Sequence, residues 1–321
     1  MRGSYEHGRF HAAAGAGASA GAEARSSAAQ AGAPAGAVWV NGALVPPGEP
    51  VLAADDRGFT LGDGLFETMR AYGGRVFRLQ AHLERLRASA DRLGIPVPPD
   101  LEDAVRATLA ASGLDSAAVR LTVSRGPGGE GLALPEPARP TIVITARPYA
   151  PAERWYTTGL RAVFARGRLN EHALTAGMKR LGYLDQVAAQ AEARAVGADE
   201  ALFIDTAGHL AEGAASNVFL VINGALWTPP LSCGVLPGIT RGVVIKLAAA
   251  AGIPVREEPV PPGALHGADE AFLTSSLREL VPVTAIGDCP IGRGRPGPLT
   301  LRLLDLYRER VHVELESDGV S

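Results

Sequence analysis

The sequence predicts an α+β chain in two parts, a smaller unit over residues 37–147 and a larger one over 156–312. Three observations carry this. Short runs with period-two alternation are interleaved with segments whose apolar residues recur at helical spacing. A Pro- and Ala-containing stretch within 148–155 reads as a linker. No internal repeat is present, and 46% of the 321 residues are hydrophobic, enough to bury a substantial core.

The elements follow in order. Val38-Trp39-Val40, the turn Asn41-Gly42 and Ala43-Leu44-Val45 read as a β-hairpin. Asp63-Gly64 precede a strand over Leu65–Arg70, and Gly73-Gly74 make the next turn. Leu79, Leu83, Leu86, Ala90 and Leu93 share one face of a helix over 79–93, and a second helix covers 101–112. Val119–Ser124 and Thr141–Thr145 are strands. Beyond the linker come a strand near 160–165 and a helix at about 183–196 with an apolar stripe of Leu184, Val187, Ala188, Ala191 and Ala195. Ala201–Ile204 and Ala215–Ile222 are strands, and Asn223-Gly224 is a hairpin turn. Pro237-Gly238-Ile239-Thr240 leads into a helix over 241–251. Glu270–Thr274 is a strand, 299–311 a final helix, and 313–321 a tail. Residues 1–36 are rich in Ala, Gly and Ser and bury too little apolar surface to offset their ordering entropy, so a disordered extension is expected. That stretch also lacks the apolar core of a secretory signal.

Composition excludes several function classes. The formal net charge is −3, without the clustered basic surface that nucleic acid or an anionic membrane requires. No apolar run approaches the roughly 20 residues needed to cross a bilayer. Cys233 and Cys289 make neither a disulfide framework nor a metal-ligand cluster, so no metal is expected, and a reducing cytoplasm is the simplest compartment. His172, His209 and His266 read as surface or turn histidines.

Lysine usage narrows the chemistry. The chain has two lysines, Lys179 and Lys246, and its other basic side chains, histidines aside, are arginines. Arginine serves for surface charge but cannot form a Schiff base, which needs a deprotonatable amine. Lys246 lies off the stripe formed by Val243, Val244, Leu247, Ala248 and Ala251, which places it in solvent. Lys179 lies between glycines in Gly177-Met178-Lys179-Arg180-Leu181-Gly182-Tyr183, just before a helix. Downstream, Leu210-Ala211-Glu212-Gly213 brings a carboxylate to a strand end. The turn Leu236-Pro237-Gly238-Ile239-Thr240-Arg241 offers free backbone N–H groups at a helix start, a favourable place for a phosphate.

Taken in order, these segments resemble the class IV aminotransferase family, the fold type IV pyridoxal-phosphate enzymes, from about Val38 to about Val311. The resemblance implies a small N-terminal α/β domain, a larger C-terminal pseudo-barrel domain, pyridoxal 5′-phosphate as cofactor, and a homodimer with its site at the domain junction. It matches Lys179 to the Schiff-base lysine and Glu212 to the partner of the pyridine nitrogen. It matches Arg85, in His82-Leu83-Glu84-Arg85-Leu86, to the arginine that binds the cofactor phosphate. Ile239 and Thr240 fall in the phosphate-cradling turn, Ser275 and Ser276 match a second phosphate contact, and Tyr183 matches a position beside the cofactor.

Two features bear on the reaction. Ser124-Arg125-Gly126-Pro127-Gly128-Gly129-Glu130-Gly131 is similar to the 4-amino-4-deoxychorismate lyase pattern, in which the arginine binds a substrate carboxylate. Phe66 and Thr68 share a strand face, and the resemblance puts that face on the substrate side. A threonine there resembles the lyases, where branched-chain aminotransferases usually have glycine. Arg120 falls near an active-site arginine of the branched-chain enzymes and is the other candidate for the carboxylate. The expected activity is therefore an aminodeoxychorismate lyase releasing pyruvate and p-aminobenzoate for folate biosynthesis. The alternative is an aminotransferase of branched-chain or D-amino acids with a 2-oxo acid acceptor.

Overall fold

The structure is a computed structural model that describes residues 36–317 apart from Pro47 and Pro50. The extension expected over 1–36 lies outside the described residues except for Gly36, as does the tail beyond Ser317.

The first sheet comprises β1 (Ala37–Val40), β2 (Ala43–Val45), β3 (Gly64–Tyr72), β4 (Arg75–Val76), β5 (Ala117–Ser124) and β6 (Thr141–Pro148), in the order β2-β1-β6-β5-β3-β4. A short α1 (Arg57–Leu61) precedes β3, and α2 (Leu79–Leu93) and α3 (Leu101–Ser112) cover one face. The β1–β2 turn forms as its Asn-Gly pair requires, with φ of 44° at Asn41 and 107° at Gly42. Leu79, Leu83, Leu86 and Ala90 of α2 are buried with Leu65, Met69 and Leu121 in one core. In the antiparallel β3–β5 pair, Phe66 faces Thr122 and Thr68 faces Arg120. Directly opposed residues share a face, so Phe66, Thr68 and Arg120 project together.

The second sheet follows α4 (Arg154–Thr157). It contains β7 (Leu160–Leu169), β8 (Glu200–Asp205), β9 (Leu210–Gly213), β10 (Ser216–Ile222), β11 (Ala225–Thr228), β12 (Val255–Glu257), β13 (Glu270–Ser275), β14 (Glu279–Ile286) and β15 (Cys289–Pro290). Between or after them lie α5 (Leu184–Ala195), α6 (Ile239–Ala250), α7 (Ala264–Gly267) and α8 (Pro298–Ser317). The strand order is β12-β11-β10-β13-β14-β7-β8-β9, and β9 also pairs with β10. That last pairing closes β10, β13, β14, β7, β8 and β9 into a ring, the pseudo-barrel, with no free edge among those strands. The core inside and beside it is aliphatic and aromatic, with Phe219 and Phe272 stacked at 5.0 Å.

Three expectations are corrected. The apolar stripe of α5 faces outward: Leu184 is 78% and Val187 60% exposed, while Ala189 and Ala193 are buried. Small side chains one turn apart let this helix lie close on β7 and β8. β14 escaped the sequence reading because Pro282 interrupts it, and proline removes a ladder donor. Pro282 nevertheless stands opposite Phe272, and the irregularity between Val283 and Ala285 falls just beyond it. The last helix runs on to Ser317, over part of the expected tail.

Candidate active site

Between the two sheets lies a cavity of about 430 Å³, lined by Phe66, Thr68, Arg85, Lys179, Tyr183, Glu212, Ile239, Thr240, Ser275 and Ser276. All the site residues expected from the sequence thus converge there, with one exception. Arg125 is buried elsewhere: its Nε donates to Asp63 at 2.8 Å, and Nη1 and Nη2 donate to the Gly94 and Leu93 carbonyls at 2.9 Å each. The arginine of the Gly-rich loop caps the end of α2 and does not reach the cavity. Lys246 is exposed on α6, as its helical position predicts.

Lys179 is placed by backbone bonds on both sides. Its carbonyl accepts from Phe66 N at 2.8 Å, and Leu181 N donates to Gly64 O at 2.9 Å, so the segment rides on the start of β3. Upstream, Gly177 has φ of 72°, a turn that favours glycine, and its N–H donates to Gly234 O at 3.2 Å. The Lys179 ammonium lies 4.4 Å from the Phe66 ring centre, and Phe66 meets Tyr183 edge-on at 5.1 Å. Burial among these rings lowers the amine to about 8, against the opposing pull of Glu67 and Glu212. An appreciable fraction is then neutral near physiological pH, the form that acts as a nucleophile or base.

Glu212 sits at the seam of the ring, on β9. Its Oε2 accepts from Leu236 N at 2.9 Å and from Asn217 Nδ2 at 3.1 Å. Burial pushes its carboxyl up to about 7, although the Leu236 hydrogen bond and Lys179 pull the other way. A cation placed beside it would relieve that cost. Asn217 also donates to Leu236 O at 2.9 Å, and a Cβ at Gly238 would stand 2.0 Å from Asn217 Oδ1, so only glycine fits there.

At the other end of the cavity, Arg85 is held by Glu67, whose Oε1 and Oε2 accept from Nε and Nη2 at 2.8 and 2.6 Å. His82 Nδ1 meets Glu67 Oε2 at 2.7 Å, and His82 Nε2 lies 3.4 Å from Ser276 Oγ. Burial alone would raise Glu67, but Arg85 and His82 outweigh it and hold the carboxyl at about 2. Burial lowers His82, which favours a neutral ring that donates from Nδ1 and accepts from Ser276. The reading of the sequence passed over Glu67 and His82. The alternation of β3 carried a signal, since Glu67 lies between Phe66 and Thr68 and must point away from them into α2.

These groups fit a phosphorylated pyridine. Two buried hydroxyls on the cavity wall, Ser216 Oγ and Thr274 Oγ1, have no hydrogen-bond partner among the described residues. The first N–H groups of α6 also point out of the helix end beside Arg85, since Gly242 N makes the first α-helical bond, to Gly238 O. Donors for a phosphate thus cluster at one end, with an amine and a carboxylate further along. Arg120 completes the wall, its guanidinium 3.8 Å over the Phe66 ring. Of the three arginines lining the cavity, Arg85 pairs with Glu67 and Arg278 with Glu200, whereas Arg120 pairs with no carboxylate among the described residues.

Comparison with known proteins agrees with this geometry. Residues 64–286 match the family model described as amino-transferase class IV. A Methanocaldococcus jannaschii protein described as a candidate branched-chain-amino-acid aminotransferase is 39% identical over 85% of this chain and 95% of its own. The structure of the T.th. branched-chain amino acid aminotransferase with pyridoxamine 5′-phosphate superposes with a TM-score of 0.81 at 33% identity, covering 86% of this chain and 94% of that one. A Legionella pneumophila chain described as a candidate 4-amino-4-deoxychorismate lyase superposes at 0.76 with 28% identity, covering 82% and 96%. The chain belongs to the class IV aminotransferase family and is a pyridoxal-phosphate-dependent enzyme of that class.

Proposed function

We propose that this enzyme is an aminotransferase that moves the amino group of a branched-chain amino acid to a 2-oxo acid. The lyase expectation leaned on Arg125 and Thr68; Thr68 does line the cavity, and the observation that carries the revised reading is the exchange of Arg125 for Arg120. Arg125 has its donors committed to Asp63 and the end of α2, while Arg120 offers its guanidinium to the cavity beside Phe66, Thr68 and Trp155. One arginine without a carboxylate partner among the described residues, set beside the Phe66 and Trp155 rings, suits a substrate with one carboxylate and an aliphatic side chain. The relatives named for branched-chain substrates support the same choice.

When bound, pyridoxal phosphate supplies an aldehyde for the amine and a ring that stores the electron pair left at the substrate carbon. Lys179 Nζ would hold the cofactor and would serve as the base that takes the proton from the substrate Cα and as the acid that gives it back. The Glu212 carboxylate would keep the ring nitrogen protonated. Arg85, Ser275, Ser276 and the N–H groups of Ile239 and Thr240 would hold the phosphate, and Tyr183 would pack beside the ring. Arg120 orients the substrate carboxylate, and Phe66 helps to exclude water.

Two assays test this reading. Borohydride trapping of the bound cofactor followed by peptide mapping is expected to label Lys179; label at Lys246 alone would overturn the assignment. A product assay offers branched-chain L-amino acids and D-amino acids with 2-oxoglutarate, and aminodeoxychorismate separately. Keto acid from the branched-chain donors supports the proposal, while pyruvate with p-aminobenzoate as the main product returns the lyase. We also propose a homodimer in the cytoplasm. Phe59, Leu61, Leu184 and Val187 are all at least half exposed, and a second subunit would cover such a face. A monomer in light scattering that retains full turnover would refute the dimer.

A further inference from the structure

Away from the cavity, three side chains with metal-ligand chemistry converge at one end of the barrel. Asp205 ends β8, His209 stands just before β9, and Cys233 closes the short 3-10 turn Leu231–Cys233. A carboxylate oxygen of Asp205, a ring nitrogen of His209 and the Cys233 sulfur all lie within 4.8 Å of one another. No local sequence pattern announces this cluster, because the three are spread over two separate turns. Asp205 and Cys233 are buried, whereas the His209 side chain is 38% exposed and opens a route from solvent.

Local backbone fixes two of the three. Asp205 Oδ1 accepts from His209 N at 2.7 Å, and Asp205 N donates to His209 O at 2.8 Å, closing a tight turn through Gly208. The second oxygen, Oδ2, faces His209 Nδ1 at 3.3 Å. Charge-assisted hydrogen bonds are shorter, about 2.7–2.9 Å. Two ligand atoms with bonds of about 2.0 Å at a tetrahedral angle stand about 3.3 Å apart. The separation of carboxylate and imidazole thus also suits two ligands of one ion, and the Cys233 sulfur lies within 4.8 Å of both.

We propose that Asp205 Oδ2, His209 Nδ1 and Cys233 Sγ bind one Zn²⁺ ion, with water in the fourth position. Thiolate, imidazole and carboxylate together select zinc over the hard cations, which prefer all-oxygen sites. On binding, the Cys233 S–H bond breaks, the sulfur keeps the electron pair and forms the zinc bond, and the proton passes to solvent. Nothing is oxidised or reduced.

The site bears on the cavity through the chain that follows Cys233. Gly234 O accepts from Gly177 N, two residues before Lys179, and Leu236 N donates to Glu212. An ion at Cys233 would tie the β8–β9 turn to the segment that fixes both residues.

The test uses purified holoenzyme, loaded with zinc, dialysed, and measured by elemental analysis. Wild type and the Cys289→Ser control are expected to retain about one zinc per chain, and Cys233→Ser and His209→Ala close to none. Cobalt in place of zinc should give visible d–d bands of a tetrahedral thiolate site in wild type and in Cys289→Ser, but not in Cys233→Ser. Zinc should raise the thermal midpoint of wild type but not of Cys233→Ser. Equal zinc in wild type and Cys233→Ser, or wild type without cobalt bands, overturns the proposal. If Cys233→Ser does not fold, the wild-type cobalt spectrum and His209→Ala decide alone.

Discussion

Glu67→Gln removes the charge that holds Arg85, and its cost can be worked from the site. Glu67 is 1% exposed and accepts from Arg85 twice, at 2.8 and 2.6 Å, and contacts His82 at 2.7 Å. Its carboxyl falls from an ordinary 4.5 to about 2, despite burial, because Arg85 and His82 favour the charged form. At about 1.4 kcal/mol for each tenfold change in proton affinity, that corresponds to roughly 3 kcal/mol of stability at neutral pH. Loss of one partner of a buried ion pair costs a similar amount, about 3–5 kcal/mol. Because the folded value is depressed, the contribution is complete above pH 4.5 and is lost as pH falls towards 2; by pH 4 about 1 kcal/mol of it is gone. Urea unfolding of wild type and Glu67→Gln at pH 7 and pH 4, at fixed protein and cofactor concentration, reads both quantities. A deficit under about 0.5 kcal/mol at pH 7, or one that grows on acidification, would refute the reasoning.

Other outcomes follow from the same geometry. The rate at which cofactor-free protein bonds with pyridoxal phosphate should rise with pH and reach half its maximum near the Lys179 value of about 8, since the neutral amine is the reacting form; stopped-flow absorbance checks this. Glu212→Gln should keep the cofactor bound but lose about 10²-fold or more in kcat, because a neutral amide cannot hold the ring nitrogen protonated. Arg120→Ala should raise KM for the amino-acid substrate roughly 10- to 100-fold, the equivalent of one charge-assisted bond, with the cofactor spectrum unchanged. Arg125→Ala should instead lower stability by about 3 kcal/mol in urea and leave KM alone, because it strips partners from Asp63 and from the carbonyls ending α2.

Much of the site was legible in the sequence because its parts are local. Gly177–Tyr183 and Leu236–Arg241 are short segments whose glycines and caps dictate their own shapes, and a chain with two lysines leaves few places for amine chemistry. Arg125 was misread for the opposite reason. Its neighbours in sequence form a Gly-rich loop, but its partners are Asp63 and the end of α2, brought there only by the β3–β5 register. The α5 stripe failed because apolar periodicity shows that a face exists, not what it packs against. Ring closure was equally hidden: it depends on β9 pairing with β10 beside Glu212, and no local pattern reveals which strands meet last.

That closed ring also constrains how the chain reaches its native state on the ribosome. β7 lies between β8, which follows soon after it, and β14, whose residues emerge much later, so Leu160 waits for Val283. A pairing so distant in sequence is slow to form, and the edge of β7 stays open to other chains in the interval. The residues proposed to hold the cofactor emerge first with Arg85, ahead of β7, and last with Ser276, just ahead of β14. A nascent chain therefore has no competent cofactor pocket until synthesis is nearly complete. Pyridoxal phosphate can lock the finished protein but cannot template its early folding, and truncation before β14 should yield an aggregating fragment that never turns yellow.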